Sequence, residues 1–264
     1  MENINKQAIV LFSGGIDSTY MVTQCAGDYE KLACITYKTP GMLNVGFSAI
    51  NAGKLRKIFG EKITHEIIDI SAVVLETRGG VADCLRDNLK YGYFYSWCLG
   101  CKLSMLLATI KYCKDRGINT VLDGSNKYDE HALEQQKPVK DLFASFYKSE
   151  GIEYLSPCYY DRDLVIPSDK LTAVRRHIGI YRDTTEKRRA LLEKMGFNFG
   201  MGVGAQYRKT QPSCVPSLFF NGARVLLKTL KKEKTKNYLA YLNDKYSVYT
   251  GKTAGGAEGK VRVT

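Results

Sequence analysis

The chain has 264 residues, 44% of them hydrophobic and 25% charged, with eight cysteines and a formal net charge of +12. This gives one large domain, or one domain with an extension, and enough apolar residue to bury a core. No apolar run reaches the roughly 20 residues that a membrane span needs. The excess of positive charge points to an anionic partner, nucleic acid first, against a generally basic protein. Met1-Glu2-Asn3-Ile4-Asn5-Lys6 leads directly into an apolar stretch with no signal peptide, so the expected location is the cytoplasm. In that compartment eight cysteines argue against a disulfide framework.

The first element is a short buried strand, Ala8-Ile9-Val10-Leu11-Phe12. Ser13-Gly14-Gly15 turns sharply after it, and a helix opens near Asp17 and runs to about residue 27. Two glycines let the backbone approach a ligand with no Cβ in the way. The helix start supplies N–H groups and its positive dipole end, an anion site to which Ser13, Ser18 and Thr19 add hydroxyls. Asp17 can orient a metal or a donor. Lys31 to Tyr37 is the second strand, 46–59 a basic amphipathic helix and Ile63 to Ile70 the third strand. Residues 71–95 read as irregular or partly helical. Tyr91, Tyr93, Phe94, Tyr95 and Trp97 gather before Cys98 as the wall of a cleft or a base-stacking surface.

A long helix is expected from about Leu99 to Arg116, with Leu103, Leu106, Leu107 and Ile110 at core spacing and Gly117 as its C-cap. Asn119 to Asp123 is the fourth strand, 138–149 a helix and Ile152 to Leu155 the fifth strand. This alternation predicts an α/β fold with a doubly wound, parallel five-stranded sheet. Ligands of such sheets bind beyond the carboxyl ends of the strands, where the Ser13 loop, Tyr37 and the Asp123 loop fall together. From about 156 the pattern becomes helical, with helices near 167–177, 184–195 and 217–230, and a glycine loop around Gly200, Gly202 and Gly204. Basic clusters stand at Arg175-Arg176, Lys187-Arg188-Arg189 and Lys228 to Lys236. The expected divisions are 1–160, a nucleotide-binding α/β domain; 161–245, a mostly helical extension; and 246–264, a Gly-rich, disordered tail.

Cys25, Cys34 and Cys113 lie in apolar patterns and read as core packing, while Cys84 and Cys158 stay undecided. Cys98-Leu99-Gly100-Cys101-Lys102 sits at a helix start, where the dipole and Lys102 are expected to lower thiol pKa values. Two thiols at this spacing fit a metal centre, a redox or persulfide pair, or simple packing. Cys214, between Pro212 and Pro216, is a third thiol whose loop the prolines stiffen, and no histidine is spaced as a zinc partner. A Walker A loop is absent: before Gly251-Lys252-Thr253, Tyr246 stands where the first glycine would be.

Strand–SGGxDS–helix resembles the PP-loop of the ATP pyrophosphatase superfamily, whose fold is the adenine nucleotide alpha hydrolase-like (HUP) sheet; the alternative is a glycine turn in another nucleotide fold. The resemblance implies ATP on Ser13, Gly14, Gly15, Asp17, Ser18 and Thr19, with Tyr37 near the adenine; Tyr37 and Lys38 are otherwise an ordinary strand end. Asp123-Gly124-Ser125-Asn126-Lys127-Tyr128-Asp129-Glu130 resembles the GxNxDD-type loop that closes over ATP, with Tyr128 where many relatives have a first Asp; an Asx-rich turn is the other reading. It implies that Gly124 and Asn126 contact the nucleotide and that Asp17 and Asp129 hold Mg2+. CxxC plus a distant cysteine resembles the cluster-dependent tRNA thiolation branch. That implies a [4Fe-4S] cluster on Cys98, Cys101 and Cys214, with Asp17, Asp129 and Cys214 in catalysis. The neighbourhood of Cys214 also resembles enzymes that thiolate a nicotinate-derived cofactor. The partners implied are tRNA and a sulfur donor, sulfide or a persulfide carrier, with a homodimer compatible and no membrane. The alternatives are a PP-loop enzyme acting on a small molecule, by sulfur insertion or by ammonia-using amide or nitrile formation, and a nucleotide-sensing or RNA-binding module without turnover.

Overall fold

The computed structural model describes residues 6–91, 96–127, 132–160, 183–199, 213–214 and 235–251. Asp129, Tyr93 to Tyr95, Arg175-Arg176, the helices expected at 167–177 and 217–230, the glycine loop at 200–204 and residues 252–264 lie outside them.

Five strands, β1 (Gln7–Leu11), β2 (Lys31–Lys38), β4 (Ile63–Asp69), β5 (Thr120–Asp123) and β6 (Glu153–Leu155), form one sheet in the order β4-β2-β1-β5-β6. Every pairing in it is parallel. β1 pairs with β2 on one side and β5 on the other, so the chain reverses its winding there, as expected of a doubly wound α/β sheet. Leu11 is in register with both Ile35 and Asp123, which brings the loops after β1, β2 and β5 to one edge.

The central strands are apolar on both faces because helices cover both. Ala8 and Val10 of β1 join a core with Met21 and Val22 of α1 (Ile16–Cys25), Leu55 of α2 (Ser48–Phe59) and Leu192 of α7 (Asp183–Lys194). Ile9 points the other way, as period two requires, into a core with Val74 of α3 (Ser71–Thr77), Cys84 of α4 (Val81–Tyr91), Leu103 of α5 (Ser96–Arg116) and Phe143 of α6 (Lys137–Ser149). Each Val, Leu, Ile, Met or Phe among them contributes about 1.5–3 kcal/mol when fully buried. Cys25, Cys34 and Cys113 are buried as expected, and Cys84 and Cys158 join them.

Of the stretch 71–95, expected as irregular or partly helical, residues 71–91 hold two regular helices, α3 and α4, separated by Gly79, whose φ of +81° only glycine adopts easily. α5 begins at Ser96, three residues before the expected start at Leu99. α8 (Thr235–Thr250) runs across the expected boundary at 245 and packs on α3, α4, α5 and α6: Tyr238, Tyr241, Leu242 and Tyr246 make a buried stripe, and the Tyr246 ring stacks on Phe146 at 3.8 Å. Among the described residues no helix is long and apolar enough to cross a membrane.

Candidate active site

The phosphate-loop candidate is built by packing as much as by its own sequence. Gly14 has a φ of +72°, and a Cβ there would sit 2.6 Å from Ser48 Cα. Asn51 Nδ2 of α2 donates to the Gly14 carbonyl at 2.7 Å. Within the loop, Gly15 N–H donates to Ser13 Oγ and Ser18 Oγ donates to the Gly15 carbonyl, both at 3.2 Å. α1 then starts at Ile16, so its first N–H groups have no partner inside the helix. Thr19 is fully buried, and its Oγ1 meets no hydrogen-bond partner among the described residues. Gly124 belongs to the same construction: a Cβ there would lie 2.9 Å from Ser18 Cα. Thr36 Oγ1 donates to the Phe12 carbonyl at 2.6 Å and meets His65 Nε2 at 2.9 Å, tying β2 and β4 to the loop.

A cavity of about 340 Å³ opens at this edge. Ser13, Asp17, Ser18, Tyr37, Gly124 and the three thiols Cys98, Cys101 and Cys214 all line it. Gly14, Gly15, Thr19 and Asn126, also expected at the nucleotide, are buried and are not among the lining residues. Tyr37 is buried, and its hydroxyl meets Thr109 Oγ1 of α5 at 3.0 Å. Cys98 and Cys101 are three apart on α5, a spacing that puts Cβ atoms about 5–6 Å apart on one face. Cys214 arrives from far along the chain on β7 (Ser213–Cys214), which pairs antiparallel with β3 (Met42–Leu43), Cys214 opposite Met42.

The expected lowering of the thiol pKa is overturned at Cys101. Burial pushes that thiol up to about 11 and outweighs the Arg78 charge that opposes it. Lys102 does not serve the thiol; its Nζ lies 3.5 Å from Asp123 Oδ2. Arg78, which nothing in the sequence singles out, is 1% exposed. Its Nη1 donates to Cys101 Sγ at 3.3 Å, and its guanidinium lies 3.5 Å from the Trp97 ring centroid. Gly100 makes the room: a Cβ there would sit 2.5 Å from Arg78 Cγ.

Asp123 lines the same cavity. Burial opposes its charge, but Lys102, Lys140 and the hydroxyls of Ser125 and Tyr154 overcome it and hold the carboxyl well below the usual carboxylate range. Lys140 Nζ lies 3.5 Å from Asp123 Oδ2, and Ser125 Oγ donates to the same oxygen at 2.6 Å. Replacing Asp123 by Asn is therefore expected to cost about 3–5 kcal/mol, since two largely buried ammonium groups lose their counter-charge. A carboxyl whose folded pKa is depressed stabilises the fold above its unfolded value and ceases to do so as pH falls. Wild-type stability, followed by denaturant unfolding, should therefore drop below about pH 4, and Asp123→Asn should lack that component of the drop.

Arg188 corrects another expectation. Within the basic run Lys187-Arg188-Arg189 it is fully buried, not presented to a nucleic acid. Its Nη1 donates to Asp17 Oδ1 at 2.6 Å. Arg189 Nη1 pairs with Glu186 at 3.3 Å.

Among the described residues no three His, Cys, Asp or Glu side chains are grouped closely enough to hold a single metal ion. Three thiols line one cavity, and Arg78, a permanent cation, stands beside one of them with no carboxylate within ion-pair distance among the described residues. A cubane iron–sulfur cluster takes thiolates at separate corners and carries the negative charge that such a cation would balance.

No family model matches the chain, and no curated protein matches it. Among solved structures it is similar to a predicted subunit of tRNA methyltransferase from Methanocaldococcus jannaschii, at 15% identity and a TM-score of 0.41 over 79% of this chain and 96% of that one. It is similar to a 4-thiouridine synthetase solved as an RNA complex with bound ATP, at 16% identity and a TM-score of 0.49 over 92% of this chain. This chain spans about half of that synthetase, 53% of its length. A U34-tRNA thiolase, NcsA from Methanococcus maripaludis with its [4Fe-4S] cluster, is similar at 15% identity and a TM-score of 0.42, over 92% of this chain and 72% of that one. All three scores fall below one half, and the strand order of this chain decides its fold by itself. It is a doubly wound α/β fold with its glycine turn at the switch point.

Proposed function

We propose that the protein is an ATP-dependent, AMP-forming sulfurtransferase of the PP-loop type that acts on a tRNA nucleobase. One observation carries the reading: the glycine turn with its helix start and the three thiols line a single cavity. Sulfur substitution at a carbonyl needs both halves together, because the oxygen leaves only after it has been activated.

In this reading the phosphates of ATP lie on the loop from Ser13 to Thr19, with Ser13 and Ser18 lining the cavity and Gly14, Gly15 and Thr19 shaping the loop beneath them, and Gly124 allows the second loop to close on them. The substrate oxygen attacks the α-phosphorus, the bond to the β-phosphate breaks, and pyrophosphate leaves. A sulfur nucleophile from the thiol side then attacks the activated carbon; the carbon–oxygen bond breaks and AMP carries the oxygen away. Asp17, through its second carboxylate oxygen, and Asp129 would hold Mg2+, which spreads phosphate charge. Cys98, Cys101 and Cys214 would hold a [4Fe-4S] cluster, which when bound supplies an iron site for sulfur. Arg78, itself held against the Trp97 ring, fixes the Cys101 side of that donor set.

The net charge of +12 supports RNA as the substrate. Binding of tRNA should weaken steeply with salt, with a log–log slope of about −0.7 to −0.9 per phosphate contacted. A titration between about 50 and 200 mM salt checks this, and affinity independent of salt would remove the RNA. Sulfur insertion into a small molecule is the second reading; the burial of Arg188 favours it by taking one charge out of the basic surface.

A further inference from the structure

The seven residues from Ser13 to Thr19 contain one ionisable side chain, Asp17, and it is acidic. Its carboxylate lines the cavity at the end where the glycine turn and the helix start would receive the nucleotide. Left alone, it would repel a triphosphate and cancel part of the attraction of the helix start.

The structure does not leave it alone. Asp17 Oδ1 accepts from Arg188 Nη1 at 2.6 Å, while the Asp17 side chain keeps 29% of its surface exposed and Arg188 keeps none. Arg188 is held on its other side as well: Nη2 donates to the Cys158 carbonyl at 2.5 Å, and the guanidinium lies 5.1 Å from the Tyr20 ring centroid. Its helix, α7, is seated by Leu192, with Phe197 and Phe199 just beyond it, all buried in the core that α1 shares. The cation is thus fixed behind the carboxylate, away from the cavity lining, where it neutralises Asp17 and cannot itself be displaced into the nucleotide. Asp123, another lining carboxylate, is likewise paired with a buried cation, Lys140, besides Lys102 of the lining.

We infer that Arg188 is a positioning residue for the nucleotide site: it neutralises Asp17 and fixes its rotamer, so that the start of α1 stays attractive to a triphosphate. This rests on the reading of the loop as an ATP site. It also gives α7, 171 residues further along the chain, a direct part in that site.

The test is ATP binding by calorimetry to the full chain, in EDTA and again with Mg2+, beside a thermal unfolding scan of each variant. Arg188→Met should weaken ATP about tenfold or more in both buffers, and Arg188→Lys should recover most of the loss. Asp17→Asn, an isosteric change at a partly exposed side chain, should bind ATP in EDTA more tightly than wild type, because the Asp17 charge no longer offsets Arg188. The double variant Asp17→Asn/Arg188→Met should return to within about threefold of wild type, a rescue that a purely structural arginine would not produce. Equal or tighter binding by Arg188→Met, or weaker binding by Asp17→Asn in EDTA, would overturn the inference while leaving the ATP site standing. If wild type binds no ATP at all, the nucleotide reading falls and the inference with it.

Discussion

Single replacement of Cys98, Cys101 or Cys214 by alanine is expected to bring sulfur incorporation to background while the fold survives. The thiols come from two distant stretches, and no one of them can substitute for another, since they approach the cavity from α5 and from β7. Protein prepared without oxygen should be brown, with about four irons per chain, as a cubane held by three cysteines requires. Each variant should lose that iron. Serine replacements, nearly isosteric, separate loss of the donor from loss of packing at the buried Cys101. Stoichiometric zinc, or iron that survives Cys214→Ala, would break the three-ligand account.

Gly14→Val should abolish ATP binding. A left-handed backbone costs a side-chain-bearing residue about 1–2 kcal/mol before any contact is counted. Here the Cβ would also stand 2.6 Å from Ser48 Cα, a backbone atom that cannot rotate away, so α2 must shift and with it the Asn51 bond to the Gly14 carbonyl. Gly124→Val should act alike, since its Cβ would press on Ser18 Cα at 2.9 Å from the other side. Gly53 supplies the control. It lies inside α2, where an added methyl would meet nothing within 4 Å, so Gly53→Ala should leave ATP affinity unchanged and raise stability by about 0.5–1 kcal/mol. Thermal unfolding and an ATP titration read both effects.

The parts of the site that depend on neighbours in sequence were legible. Ser13 to Thr19 is a strand end, a turn and a helix start in one continuous stretch, and Cys98 and Cys101 share a helix face by their spacing. The doubly wound sheet followed from the alternation of apolar runs in the same way. What depends on partners distant in the chain was not legible. Cys214 itself was named, from its proline-flanked loop and the family resemblance, but the ladder of two residues with Met42 and Leu43 that carries it to the cavity is too short to leave a periodic signal. Arg78 and Arg188 look like surface charges in sequence, and only the Trp97 ring, the gap at Gly100 and the Asp17 carboxylate show why each is buried. The thiol expectation failed for a related reason. A helix start argues for a lowered pKa, but Cys101 is enclosed, and the burial outweighs the nearby charge. In α8 the stripe of Tyr238, Tyr241, Leu242 and Tyr246 was interrupted by the polar run Asn243-Asp244-Lys245.

The central claim, that one cavity couples nucleotide cleavage to sulfur transfer, is tested most directly by a doubly labelled turnover. Anaerobically prepared protein is mixed with α-labelled ATP, labelled sulfide and unmodified tRNA, and AMP and RNA-bound sulfur are counted together. Coupling predicts equal amounts of both, with neither formed by Gly14→Val, and AMP without RNA-bound sulfur from Cys101→Ala. AMP that never matches any sulfur in RNA, or sulfur that enters RNA without AMP, would contradict it.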